Sequence, residues 1–132
     1  MKAVTLIKNG DAAKAFEVRE IAKPTPASDE VLIKVSAFGL NFADVMARNG
    51  MYKEAPPLPC VLGYDVAGMV EATGSSVTNV QPGQRVTALT RFGGYAEYAI
   101  TKSTAVTAIP ASVDDATATA LTTQYITAYY AA

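Results

Sequence analysis

The feature that most constrains how this 132-residue chain can fold is a series of short alternating runs, each stopped by glycine, proline or asparagine. Ala3 to Ile7 alternates and Asn9-Gly10-Asp11 ends it; Ala15 to Arg19 alternates again. Lys23-Pro24-Thr25-Pro26 then makes a stiff connection, since each proline fixes its own φ and restricts the residue before it. Side chains alternate across a strand with period two, so such runs read as half-buried strands. Glu30 to Phe38 predicts a longer strand with Val31, Ile33 and Val35 on one face. Gly63 to Thr73, Arg85 to Thr90, Tyr95 to Ile100 and Val106 to Ile109 predict four more. Gly68 within such a run suggests a bulge or a close backbone approach. Pro82-Gly83 suits a type II turn, where glycine supplies the positive φ. Strands this short and this evenly spaced belong to a barrel or a folded sheet.

Two segments change to helical spacing. Phe42, Val45 and Met46 stand at i, i+3, i+4 within Asn41 to Arg48; Asn41 can cap this helix and Gly50 can close it. Residues 51 to 62 form a proline-rich loop. Ser112-Val113-Asp114-Asp115 resembles a capping box that opens a second helix running to the end, with Leu121, Tyr125, Ala128 and Tyr129 on one face. That helix reaches Ala131-Ala132 with no glycine or asparagine stop, so the expectation is a chain cut within or at the end of a helix.

Composition removes several classes of function. Half the residues are hydrophobic and 17% charged, which argues against disorder. Eleven basic and twelve acidic residues give a net charge of −1 without clustering, so no basic stripe is offered to a nucleic acid. No apolar run approaches the roughly 20 residues of a membrane helix, and the amino terminus lacks a signal-peptide core. A soluble, cytoplasmic protein is expected. There is no histidine and only one cysteine, Cys60, which is expected to be core packing rather than a reactive thiol. Histidine-based nucleophile systems, internal disulfides and multi-cysteine zinc sites are thereby excluded. Tyrosine, carboxylate, amide, lysine or a bound cofactor must carry any chemistry.

Five segments in order carry a family resemblance: Gly39-Leu40-Asn41-Phe42-Ala43-Asp44, Leu58 to Gly68, Pro82-Gly83-Gln84-Arg85-Val86, Gly93-Gly94-Tyr95-Ala96-Glu97-Tyr98, and Gln124 to Tyr129. Together they resemble the amino-terminal GroES-like domain of medium-chain dehydrogenase/reductases, and within these the zinc-free quinone oxidoreductases and VAT-1-like proteins. The implied fold is mostly β with short helices, a partly open β-barrel spanning residues 1–132 and lacking the family's Rossmann domain. Zinc alcohol dehydrogenases carry a cysteine where this chain has Asn41, and Gly-His-Glu where it has Gly63-Tyr64-Asp65. An amide and a phenol are poor zinc ligands. The resemblance therefore implies no metal and hydride transfer from NADPH to a quinone or another α,β-unsaturated carbonyl. The phosphate-binding fingerprint is absent here, so the isolated chain is expected to be inactive.

The same resemblance implies roles for particular residues. Asn41 would contact the nicotinamide region, Phe42 beside it would help form the cofactor site, and Thr127 on the terminal helix would approach the ring. Tyr52 would line the quinone pocket as a donor to the carbonyl oxygen that gains charge. Tyr64 would fill the space of the missing metal and is a further catalytic candidate. Each has a plainer alternative: Asn41 with Asp44 as a helix cap, Tyr52 packed on Pro56 and Pro57, Thr127 bonded back to its own turn. A non-catalytic β module or truncated product stands as the alternative for the chain, and a co-chaperone ring would rest on fold alone. Self-association of the fragment through an open sheet edge or the terminal helix is also expected.

Overall fold

The computed structural model describes all 132 residues. β1 (Lys2–Leu6) pairs antiparallel with β2 (Phe16–Glu20) across a one-turn helix, α1 (Ala12–Ala15), which the alternation had hidden. Asp11 caps that turn by accepting the Ala13 N–H at 3.0 Å. β3 (Glu30–Phe38) leads into α2 (Phe42–Arg48), and the proline-rich loop ends in the two-residue β4 (Cys60–Val61), which lies on the other side of β1. β5 (Asp65–Thr73), β6 (Arg85–Leu89), β7 (Tyr98–Lys102) and β8 (Val106–Ala108) join β3 in a second, wholly antiparallel sheet of order β7-β3-β5-β6-β8.

Residues 95 to 97 stitch the two sheets together. The Val4 N–H donates to Tyr95 O at 2.8 Å, Glu97 N–H to Lys2 O at 3.0 Å and Val35 N–H to Glu97 O at 2.9 Å. The result is one curled, partly open barrel, with β2 and β8 as the outer strands of its two sheets. Val31, Ile33, Val66, Val70 and Val86 form the main core between strands. A smaller cluster of Leu6, Ala15, Ala47, Cys60, Leu62 and Tyr95 lies under α2.

Gly68 stands where β5 passes close to the backbone of β3. A Cβ there would lie 2.1 Å from the Lys34 carbonyl oxygen, and the β3–β5 register slips by one residue just beyond, between Val35 and Ala37. The bulge and the close approach anticipated from the lone glycine are the same feature. Pro82-Gly83 makes the expected turn, with Gly83 at φ +87° and Gln84 N–H donating to Gln81 O at 3.2 Å.

Three expectations are corrected. The strand placed at Tyr95 begins at Tyr98, because the preceding residues serve the seam between sheets. The terminal helix is capped by Asp114, not Ser112: its carboxylate accepts from the Thr117 N–H at 2.8 Å and from the Thr117 hydroxyl at 2.9 Å. That helix comprises α3 (Asp115–Ala120), a π-helical turn over Leu121–Tyr125 and α4 (Ile126–Ala131). Finally, α2 buries Asp44 and Ala47 and turns Phe42, 76% exposed, toward solvent. The polar network described below holds Asp44 inside, and one face cannot bury both. Asp115 fastens the terminal helix to the barrel through Arg85 at 2.6 Å and the Ser36 hydroxyl. No helix is long and apolar enough to cross a membrane.

Candidate functional site

Both ends of α2 are determined by local sequence. At its start the Asn41 N–H donates to the Asp44 carboxylate at 3.0 Å, the reciprocal half of a capping box. At its end Gly50 takes φ +73°, with Gly50 N–H donating to Ala47 O at 3.0 Å and Met51 N–H to Met46 O at 2.9 Å. This is a Schellman closure, and it delivers Tyr52 immediately after the helix.

Tyr52 meets Tyr64. The Tyr64 phenol donates to the Tyr52 oxygen at 2.5 Å, and the rings meet edge-on with centroids 6.3 Å apart. Phe92 lies 5.5 Å from Tyr64 on its other side. Tyr52 is half-buried against the smaller core cluster, so packing and polar contact coexist in it. Burial, then the hydrogen bond to Tyr52, raises the Tyr64 phenol well above the usual tyrosine range, while nearby Arg91 opposes the shift. Arg91 is the one non-glycine residue at positive φ, +62°, and it pairs with Glu54 at 2.5 Å beyond the tyrosines.

Asn41 belongs to a separate network. Its Nδ2 donates to Asp65 Oδ1 at 3.3 Å. Asp65 is fully buried, and also accepts from Gly39 N–H at 3.1 Å and Thr123 N–H at 3.2 Å. Asp44, 6% exposed, accepts from Gly63 N–H at 3.2 Å as well as from Asn41. Buried Tyr95 stands beside it, and its phenol is raised first by burial and then by the Asp44 carboxylate. A recess of about 160 Å³ opens here, lined by Leu40, Asn41, Asp44, Val45 and Tyr95 among others.

The structure thus brings Tyr52 and Tyr64 together and ties Asn41 to the barrel. Phe42 and Thr127 are exposed and hydrogen-bonded to neither network; the Thr127 hydroxyl does not bond back to its own turn. Cys60 is buried and burial pushes its thiol up, as expected of a packing residue. Sequence reasoning missed Asp65, Thr123, Tyr95 and Arg91. Asp65 had a signal, in that an acid between Tyr64 and Val66 at the head of an apolar strand must find buried donors.

These residues suit one end of a dinucleotide. The half-buried amide of Asn41, flanked by exposed Leu40 and Phe42, offers polar and apolar contacts of the kind a nicotinamide ring uses. For the pyrophosphate the chain has no Gly-x-Gly-x-x-Gly run opening a helix.

Known proteins share this fold. The family described as the alcohol dehydrogenase GroES-like domain matches residues 27–111. Human quinone oxidoreductase is 39% identical over 132 residues, covering 99% of this chain and 40% of its own length. The structure of the human synaptic vesicle membrane protein VAT-1 homolog-like protein superposes with a TM-score of 0.95 at 35% identity, over all of this chain and 42% of that one. Escherichia coli quinone oxidoreductase, solved as a complex with NADPH, gives 0.91 at 28% identity, over 99% and 40%. The chain therefore spans about 40% of the curated quinone oxidoreductases it matches. With the seam, the curled sheets and the matched residues in agreement, the chain belongs to the alcohol dehydrogenase GroES-like domain family.

Proposed function

We propose that residues 1–132 form the substrate-side domain of a longer, zinc-independent oxidoreductase that reduces a quinone or another α,β-unsaturated carbonyl. NADPH, held largely by a second domain, would supply the hydride. The observation that carries this reading is the phenol pair. Tyr64 donates to Tyr52, so the Tyr52 oxygen is already an acceptor and its own O–H remains free to donate outward. A phenol so placed is suited to hydrogen-bond a carbonyl oxygen as negative charge develops on it. Tyr64 is protonated at neutral pH even at the ordinary tyrosine value of 10.0, and burial moves its ionisation further away, so it stays a donor. Asn41 and Phe42 would flank the ring at the start of α2, and Thr127 would approach it from the terminal helix. Asn41 has one amide hydrogen committed to Asp65, so Tyr52 is the principal donor to substrate. A reduced quinone takes its protons from water, and no general base is required of this chain. Zinc independence is supported by the occupations of Asn41 and Tyr64, which bond to Asp65 and Tyr52.

The test is NADPH oxidation with a simple quinone, using this chain alone and fused to the remaining part of a quinone oxidoreductase relative. The fusion should turn over, without added metal and in the presence of chelator, and the chain alone should not. Tyr52→Phe in the fusion should lower turnover on the order of 10²-fold, as for loss of one donor to developing charge. Unchanged turnover and Michaelis constant would reduce Tyr52 to a packing residue.

A further inference from the structure

Asp65 is the most deeply buried charged side chain of the fold, and nothing in the proposed chemistry uses it. Its relative exposure is 0%, and it forms no ion pair. A carboxylate taken out of water must be compensated by donors. Three parts of the chain supply them. Gly39 N–H and Asn41 Nδ2 approach Oδ1 at 3.1 and 3.3 Å, and Thr123 N–H approaches Oδ2 at 3.2 Å. Gly39 is required for this geometry, because a Cβ there would stand 2.2 Å from Oδ1. Thr123 lies in the π-helical turn that interrupts the terminal helix, and its N–H turns to the carboxylate. Such turns are strained and recur at functional sites. Gln124, the next residue, donates from Nε2 to Leu40 O at 3.1 Å, so the helix holds the Gly39–Asn41 segment directly here and through Asp65 by way of Thr123.

The orientation of Asn41 follows from this. Rotating its amide by half a turn would set Oδ1 against a carboxylate oxygen, so Asp65 holds Nδ2 inward. Thr127 lies four residues beyond Thr123 on the same helix. From this arrangement we infer that Asp65 is a positioning residue for the nicotinamide site: it sets the Asn41 amide in one orientation and locks it to the helix that carries Thr127. The role rests on the reading that Asn41 faces the nicotinamide ring. The ligand class is a reduced or oxidised nicotinamide, and Asp65 acts on it only through Asn41 and the terminal helix.

Nuclear magnetic resonance on the 132-residue chain separates the two claims. In the unaltered protein, one Asn41 Nδ2 hydrogen and the Thr123 N–H should exchange slowly with solvent. Asp65→Ala removes both acceptor oxygens. Thr123 exchange should then rise about tenfold or more, with the amides of Val66 and Val86 unchanged, as expected of a local opening. Gly39→Ala, which pushes the segment off the carboxylate, should release Asn41 in the same way. Titration of the chain fused to the remaining part of a quinone oxidoreductase relative, with NADPH as the probe, supplies a readout that a merely structural role would not move. It should shift the Asn41 side-chain resonances of the unaltered fusion and shift them much less in its Asp65→Ala variant.

Free exchange at Asn41 and Thr123 in the unaltered chain overturns the clamp whether or not a variant folds, and leaves the reading of Asn41 standing. A clamp that is present, with no NADPH shift at Asn41 in the unaltered fusion, overturns the reading and the positioning role with it. Equal ligand shifts in the unaltered fusion and in its Asp65→Ala variant show that Asn41 needs no help from Asp65, and overturn the positioning role alone.

Discussion

Tyr64 and Tyr95 are two of the seven tyrosines, and burial raises the phenols of both above the ordinary value of 10.0. The sign of the linked stability follows. A raised folded value means that the folded protein retains a proton the unfolded chain releases. The stabilisation is fully present below pH 10.0, and is lost as pH rises above it toward the folded values. Near-ultraviolet absorbance titration should therefore show two tyrosines ionising later than the rest, together with loss of the fold. Tyr64→Phe should remove one of the late pair. Tyrosines that all ionise together near the ordinary value, with circular dichroism unchanged, would contradict the burial seen here. Asn41 shows how one residue serves local and distant needs: its backbone opens α2 while its amide is spent on Asp65.

At the scale of elements, the β3–β5 ladder depends on a side chain that is missing. Alanine at Gly68 would drive Cβ into the Lys34 carbonyl at 2.1 Å, and backbone is what must move. Overpacking of this kind costs about 3 kcal/mol, so Gly68→Ala should lower the denaturant midpoint sharply at unchanged slope. A midpoint close to that of the unaltered protein would mean that the bulge at Val35–Ala37 absorbs the extra carbon. The helices follow a different logic. α2 has seven residues, too few to be stable alone, and is retained by Asp44, Ala47 and the cap at each end.

Across the whole molecule, several of the most exposed apolar side chains lie on two neighbouring elements. Leu40 and Phe42 at the start of α2 are 71% and 76% exposed, and Tyr125, Ile126 and Tyr129 of the terminal helix are 59%, 53% and 78% exposed. Gln124 bonds to Leu40 O, so the two elements adjoin. β8 adds an outer strand of three residues at the far end of its sheet. Contiguous apolar surface beyond a few hundred Å² and open strand edges both recruit partners. The chain should therefore gain mass with concentration in light scattering, and Phe42→Ser with Tyr129→Ser should reduce that gain. A strictly monomeric mass throughout would show that these residues are tolerated in water.

Period-two alternation and turn chemistry were enough to place most of the strands, the α2 helix with its glycine stop, and the turn at Pro82-Gly83. Those signals are local: the hydrogen bonds that satisfy them lie within a few residues or follow from a buried face. The one-turn α1 escaped notice because four residues are too few to show a period. The cap at Asp114 was misplaced by two residues because serine and aspartate both suit that position, and the contact of Asp115 with Arg85 and Ser36 chose between them. The exposed face of α2 could not be foreseen, since the contacts that turn that helix are distant in sequence, among them the Asp44–Gly63 bond across nineteen residues and the packing of Ala47. The Tyr52–Tyr64 pair was present in the sequence as two candidates twelve residues apart, but not as one hydrogen-bonded unit. Asp65 lay furthest out of reach, because its donors come from positions 39, 41 and 123. A sequence shows that a buried carboxylate needs partners, but only the closed fold decides which distant N–H groups arrive.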